Sequence, residues 1–242
     1  MNFESLLTCE EESALELLIR LGADGFFLNT KLESLNQVIS LSSGKVYEID
    51  GDMSSGKTQI CYSICAKFLS VKRTGKVLWI SAVPLRTDRL IRHLGMQTED
   101  LDRIICNCPK NIDQLLKQLN WARRFQESLD IQLVFVEDID ALLHDTAYEG
   151  YDLGRSHQFG TINKLHKIAD LGATVVITNH ITRWRGYPAP ALGNFWASQI
   201  SYRFFVEKTE VSNIHVISTM RDGESQAIEK SFRISDEGLE ET

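Results

Sequence analysis

The stretch GDMSSGKTQ, residues Gly51–Gln59, fits the spacing G-x-x-x-x-G-K-[ST]. Gly51 and Gly56 let a backbone turn tightly, so the N–H groups of Asp52, Met53, Ser54 and Ser55 can converge on an anion. Lys57 would reach the β- and γ-phosphates of a nucleotide, and Thr58 would offer its hydroxyl to magnesium. A surface turn can share this spelling by chance, and the flanks decide between the two. Val46 to Ile49 reads as a short strand running straight into the loop. After it, Ile60, Cys61, Ile64, Cys65, Phe68 and Leu69 recur at helical spacing. A strand, a glycine-bounded loop and a helix whose N-terminus faces the phosphates make a nucleotide site.

Working outward, strands alternate with helices. KVLWIS (Lys76 to Ser81), the IQLVFVE that begins at Ile131 and ATVVIT (from Ala173) are apolar without alternation, as strands covered on both faces should be. Asp88 to Leu94 predicts a short helix stopped at Gly95, and Ile104 to Cys106 a further strand. From Asn111, a candidate N-cap, Ile112, Leu115, Leu116, Leu119, Ala122 and Phe125 mark a long amphipathic helix. Ile162, Leu165, Ile168 and Ala169 line another that stops near Gly172. Beyond about residue 200, SYRFFVEK, NIHVIST and QAIEKSFRIS are strand-like pieces joined by polar turns, which predicts antiparallel pairing. The expected fold is α/β: a largely parallel central sheet flanked by helices, with an antiparallel C-terminal edge. Residues 1–28 are expected to form a short helical or linker segment and residues 29–242 the nucleotide-binding core.

Composition narrows the function. With 242 residues and 43% hydrophobic content, the chain can bury a sizeable core. A net charge of −7 argues against coating nucleic acid by bulk charge, so any such contact needs a local basic patch. The five cysteines form no C-x-x-C pair, and Cys61 and Cys65 fall one helical turn apart among apolar residues, as buried thiols in a reducing compartment would. The acidic start MNFESLLTCEEESALELL does not read as a signal peptide, and no apolar run approaches a bilayer span. A soluble, intracellular protein is expected.

A phosphate site also needs an acid at a neighbouring strand end to hold magnesium. Glu137 and Asp138 stand there, Glu137 where aspartate is usual. Among phosphate-loop classes, a GTPase needs N-K-x-D, and NKLH at Asn163 lacks the aspartate. No arginine-rich lid of a small-molecule kinase is evident. The order of phosphate loop, acidic strand and VVITNHIT (Val175 to Thr182) resembles the RecA family of recombinases. So do the lead-in TKLESLNQVISLSSGKVYEID (from Thr30) and PALGNFWASQISYRFFVEK (Pro190 to Lys208). The latter, with TNHIT, is similar to the D-type paralogue of the eukaryotic strand-exchange recombinase. The resemblance spans about residues 28–235 and implies a RecA-like core, ATP and Mg2+ as ligands, and a role in homologous recombination in the nucleus.

The resemblance also assigns roles, with departures. TDRL lines up with the segment that lays a side chain on adenine, making Arg89 the stacking candidate. His180, at the strand end, sits where the family couples nucleotide state to a DNA-binding loop, although a lone histidine also serves structure. Members that hydrolyse ATP well carry a water-activating glutamate after the VLWIS strand. Here the matching position is Val83, which can neither accept a proton nor orient water. About 28 residues precede the core where full recombinases have a DNA-binding domain. Phe26 and Phe27 could be a filament anchor or ordinary core. Two loops bear on DNA. HDTAYEGYDLGRSHQ sets Arg155 against Asp145, Glu149 and Asp152, a poor phosphate surface. HITRWRGYPAPALGNFW gathers Arg183, Trp184, Arg185, Tyr187, Phe195 and Trp196 without an acid, which suits single-stranded DNA or a protein partner. The expected function is an ATP-binding accessory factor that pairs with another recombinase paralogue and engages the recombinase on single-stranded DNA. The alternatives are an ATP-driven strand-exchange protein and a scaffold with a vestigial pocket.

Overall fold

A computed structural model describes residues 27–72, 74–95, 98–143, 151–184, 187–220 and 228–242. Phe26, the segment before it, Asp145, Glu149 and Arg185 lie outside the described residues, as do the side chains of Phe27, Asp152, Trp184 and Tyr187.

The strand entering the phosphate loop is β3 (Val46–Gly51), buried at every residue. It follows a small antiparallel pair, β1 (Phe27–Leu28) with β2 (Leu41–Ser42). Helix α1 (Lys57–Val71) leaves the loop from Gly56, whose φ of 106° is a left-handed conformation. Then come β4 (Lys76–Ser81), α2 (Thr87–Leu94), β5 (Ile104–Asn107), α3 (Ile112–Leu129), β6 (Ile131–Glu137), α4 (Ile139–Leu143) and α5 (Tyr151–Asp170). The chain ends through β7 (Thr174–Trp184), β8 (Tyr187–Pro190), α6 (Gly193–Ala197), β9 (Tyr202–Lys208), β10 (Ile214–Met220), β11 (Glu229–Ser235) and β12 (Gly238–Glu240).

One ten-stranded sheet runs β12-β11-β10-β9-β3-β7-β6-β4-β5, with β8 paired to β7. From β9 to β5 the neighbours are parallel; from β9 to β12 they are antiparallel. The register is what matters for the site. Gly51 stands level with His180 of β7 on one side and with Val206 of β9 on the other. Ends of three strands therefore meet around one loop.

Apolar side chains fill both faces. On one, Ile60, Ile64 and Phe68 of α1 pack with Trp79 and Phe135. The rings of Tyr62 and Trp79 lie 5.4 Å apart and those of Trp79 and Phe135 4.4 Å apart. On the other, α3 and α5 lay Leu115, Leu119, Leu165 and Ile168 on Val134 and Val136. The Asn111 side chain caps α3, accepting from the Gln114 N–H at 3.0 Å. Cys61 and Cys65 are fully buried, and burial pushes both thiols up.

Three expectations are corrected. Phe125 is 37% exposed and Gln126 is buried instead, because the 112, 115, 119, 122 stripe continues at 126 on a regular helix. Arg155 belongs to the helix α5, not to a loop. The second loop is also largely regular: β7 continues through Ile181–Trp184 and pairs antiparallel with β8 to make a ribbon. No helix among the described residues is long and apolar enough to cross a membrane.

Candidate nucleotide site

A cavity of about 470 Å³ sits over the end of β3. Met53, Ser54, Ser55, Gly56, Lys57 and Thr58 line it, and so do Arg89, Asp138 and His180, predicted from distant parts of the chain. Lys57 is buried, and its Nζ donates to the carbonyl oxygens of Gly51 at 2.9 Å and Asp52 at 3.0 Å. Burial lowers its pKa, against the pull of Asp138, Asp140, Asp50 and Asp52. An ammonium held inside a turn of backbone, beside N–H groups at a helix start, is what a polyphosphate neutralises. The Ser55 hydroxyl is buried there with no partner in the protein, an orphan that a phosphate oxygen would satisfy.

The two acids of the β6 end have separated duties. Glu137 is 6% exposed and accepts a 2.8 Å bond from the indole of Trp79. Burial raises its pKa, countered by hydrogen bonds from Thr58 and Trp79. Asp138 takes a left-handed φ of 51°, which an aspartate tolerates, and its N–H donates to the Thr178 hydroxyl at 2.8 Å. That turn delivers Asp138 to the cavity. No cluster of three or more His, Cys, Asp or Glu side chains suited to a metal occurs among the described residues. Magnesium, which keeps several waters and leans on substrate phosphates, fits one hydroxyl and one or two carboxylates better than a closed cage. Thr58 and Asp138 line the cavity and could hold it, whereas Glu137, expected beside them, turns inward to Trp79 and is not among the lining residues.

His180 faces Asp138 and, two residues on, Asp140. Its Nδ1 lies 2.9 Å and 3.0 Å from the Asp140 oxygens, and its Nε2 lies 4.0 Å from Asp138. Burial works to raise the Asp140 pKa, but the His180 hydrogen bond and charge outweigh it and hold the carboxyl low. Farther along β7, Arg183 Nη2 donates to Asp52 Oδ2 of the phosphate loop at 2.8 Å. Val83, after β4, is 61% exposed, and only the apolar residues Ala82, Val83, Pro84 and Leu85 separate Ser81 from Arg86.

Besides Gln59, next to the predicted loop residues, four cavity residues escaped sequence reasoning: Lys208, Asn213, His215 and Ile234. They come from β9, the β9–β10 turn, β10 and β11, and the register pairs His215 with Lys208. This wall presses on the loop. A Cβ on Gly56 would come within 2.6 Å of Ile234 Cδ1, and one on Gly51 would collide with the Val206 carbonyl oxygen. His215 is buried against the Phe232 ring at 5.5 Å, and burial lowers its pKa while a hydrogen bond to the Ser55 backbone opposes that. A histidine and a lysine in a strand pattern offered no signal, since only cross-sheet pairing carries them to the loop.

Beneath the loop lies a buried ionic network. Glu48 accepts from Asn179 Nδ2 at 3.0 Å, Trp196 Nε1 at 2.7 Å and Arg203 Nε at 2.9 Å. Arg203 also donates to Asp50 at 2.5 Å. Trp196 is therefore a fully buried strut rather than a stacking surface, and the Arg155 guanidinium covers the Phe195 ring at 5.2 Å. Two of the aromatics predicted for DNA are engaged within the protein.

A doubly covered, mostly parallel sheet with an antiparallel C-terminal edge, and a glycine-bounded loop beside the strand bearing Asn179 and His180, is a RecA-like domain. The Rad51 family profile matches residues 27–241, and the chain belongs to that family as a recombinase paralogue. It is 54% identical to RAD51-like protein 1 of Caenorhabditis briggsae, over 97% of each chain. Identity to RAD51-like protein 1 of Caenorhabditis elegans is 50%, over 94% of each. Against DNA repair protein RAD51 homolog 4 of Mus musculus it is 29%, over 76% of this chain and 61% of the mouse protein.

Proposed function

We propose that this chain is an ATP-binding accessory recombinase paralogue in homologous recombination and double-strand break repair in the nucleus. It holds ATP with Mg2+ on residues 51–58, with Arg89 at the base, and pairs with another recombinase paralogue. Through the β7–β8 ribbon it engages single-stranded DNA or the recombinase filament, which it promotes or stabilises. The observation that supports this is the placement of His180. It shares the cavity with Lys57, and the same strand runs on to Arg183 and the ribbon. Any rearrangement of Asp138 and Asp140 around a nucleotide is thereby felt by the segment proposed to bind DNA. Val83 supplies no base, so hydrolysis is slow, well below the median enzyme turnover of ~10 per second.

The test pairs a fluorescent-nucleotide titration with ATP turnover on single-stranded DNA. Lys57→Ala should weaken nucleotide binding by about 1.5–3 kcal/mol, the worth of a charge-assisted contact. Equal affinity in the variant would mark the pocket as vestigial. Robust DNA-stimulated turnover abolished by the same substitution would make the chain a motor in its own right.

A further inference from the structure

We propose that the groove between the C-terminal turns of α3 and α5 docks an acidic segment of a protein partner. The groove, about 540 Å³, is lined by Asn120, Arg123, Arg124, Lys167, Asp170 and Leu171. Three cations stand there against one carboxylate, in a chain whose net charge is −7. Asp170 is itself engaged within the protein. Placement separates this surface from the nucleotide cavity. Helices α3 and α5 end where β6 and β7 begin, whereas the phosphate loop follows the end of the parallel strand β3.

One edge is apolar, Leu171 at 39% exposed, and the groove is held in place. Gln126 Nε2 donates to the Leu171 carbonyl at 3.2 Å, and Lys164 Nζ to Asn120 Oδ1 at 2.7 Å, tying α3 to α5 and to the turn after it. A fixed concavity with cations around it and one apolar edge suits carboxylates that flank an apolar side chain. Nucleic acid fits it less well. The Phe125 ring already carries the Arg124 guanidinium at 5.5 Å and the Trp121 ring at 5.7 Å, which crowds out a base. The cations also ring a pocket instead of tracking a backbone.

The experiment uses the full chain and a fluorescein-labelled peptide of glutamates interleaved with leucine and phenylalanine, read by anisotropy. Saturable binding that weakens with salt is expected. Arg123→Glu with Lys167→Glu should lower affinity by roughly tenfold or more, as reversing close interfacial charges does. The pair Arg123→Gln with Lys167→Gln should fall between, and nucleotide affinity should stay unchanged in both, reporting an intact fold. A peptide with serine at its apolar positions should bind more weakly. Absence of saturable binding, or equal binding to the charge-reversed variant, overturns the proposal. So does single-stranded oligodeoxythymidine that displaces the peptide and itself loses affinity in that variant, which would give the groove to nucleic acid.

Discussion

Two arginines reach the phosphate-loop strand from opposite sides, and they differ in everything but chemistry. Arg203, on β9, donates to Glu48 and Asp50 with side-chain exposures of 12% and 0% on the two sides of each pair. Arg183, on β7, donates to Asp52 with exposures of 56% and 44%. In the buried case water is excluded, each charge depends on its partners, and removing one strands the others. In the exposed case solvent screens the attraction and replaces either partner at little cost. The same ion pair is thus a fixed strut at the root of the loop and an exchangeable contact at its tip. The strut binds β3 to β9 and, through Trp196 and Asn179, to the far side of the ribbon. The tip contact leaves Arg183 able to trade a carboxylate for another anion.

Substitution at Arg203 should show the largest effect. Arg203→Met leaves the buried Glu48 without its counter-charge and Asp50 without its donor, and should cost about 3–5 kcal/mol. At about 2–4 °C per kcal/mol for a chain of this size, a thermal melt would read it easily. A melting point unchanged within error would mean that Glu48 and Asp50 are carried by other groups and that the contrast with Arg183 fails.

A smaller effect is expected from pH. Burial, then the charge of Glu48, raises the Asp50 pKa from 3.8 to about 8, against the pull of Arg203 and Lys57. The folded state therefore holds a proton that the unfolded chain releases. This stabilisation is complete below the unfolded value and is lost as pH rises through the folded one. Between about pH 4 and pH 8 this contribution to the wild-type melting point should fall, and Asp50→Asn, which keeps the shape without the charge, should flatten that fall. Parallel profiles for the two proteins would show that Asp50 is already ionised at neutral pH.

The smallest effect on stability belongs to Arg183→Ala, within about 1 kcal/mol. Its consequence should appear in the salt dependence of single-stranded DNA binding, where losing one phosphate contact lowers the slope of log affinity by roughly 0.7. A large loss of stability would show Arg183 to be a second strut. An unchanged slope, with partner co-purification also intact, would remove Arg183 from the functional face.

Much of the site could be read directly, because its central part is local. A loop bounded by Gly51 and Gly56, a strand before it and an apolar helical stripe after it are written in adjacent residues, and the loop's conformation is set by its own backbone. The unalternating strands and the Asn111 cap are local for the same reason, which is why they stand where expected. The separate duties of Glu137 and Asp138 were less legible. Both end one strand, and only the packing of Trp79 beneath β6 and the left-handed turn at Asp138 send one inward and the other to the cavity.

What the amino-acid sequence determined alone was the phosphate loop, the layered α/β order and the antiparallel edge, since each follows from periodicities of a few residues. What only the tertiary structure decided was the company the loop keeps. Pairing β3 with β7 and β9 sets His180, Lys208 and His215 around the loop, and it turns Trp196 from a presumed DNA contact into a buried partner of Glu48. Side chains alternate faces along a strand, so a one-residue change of register would send each to the opposite side of the sheet. That register is selected by burial across the whole sheet, and no short stretch of the chain contains it.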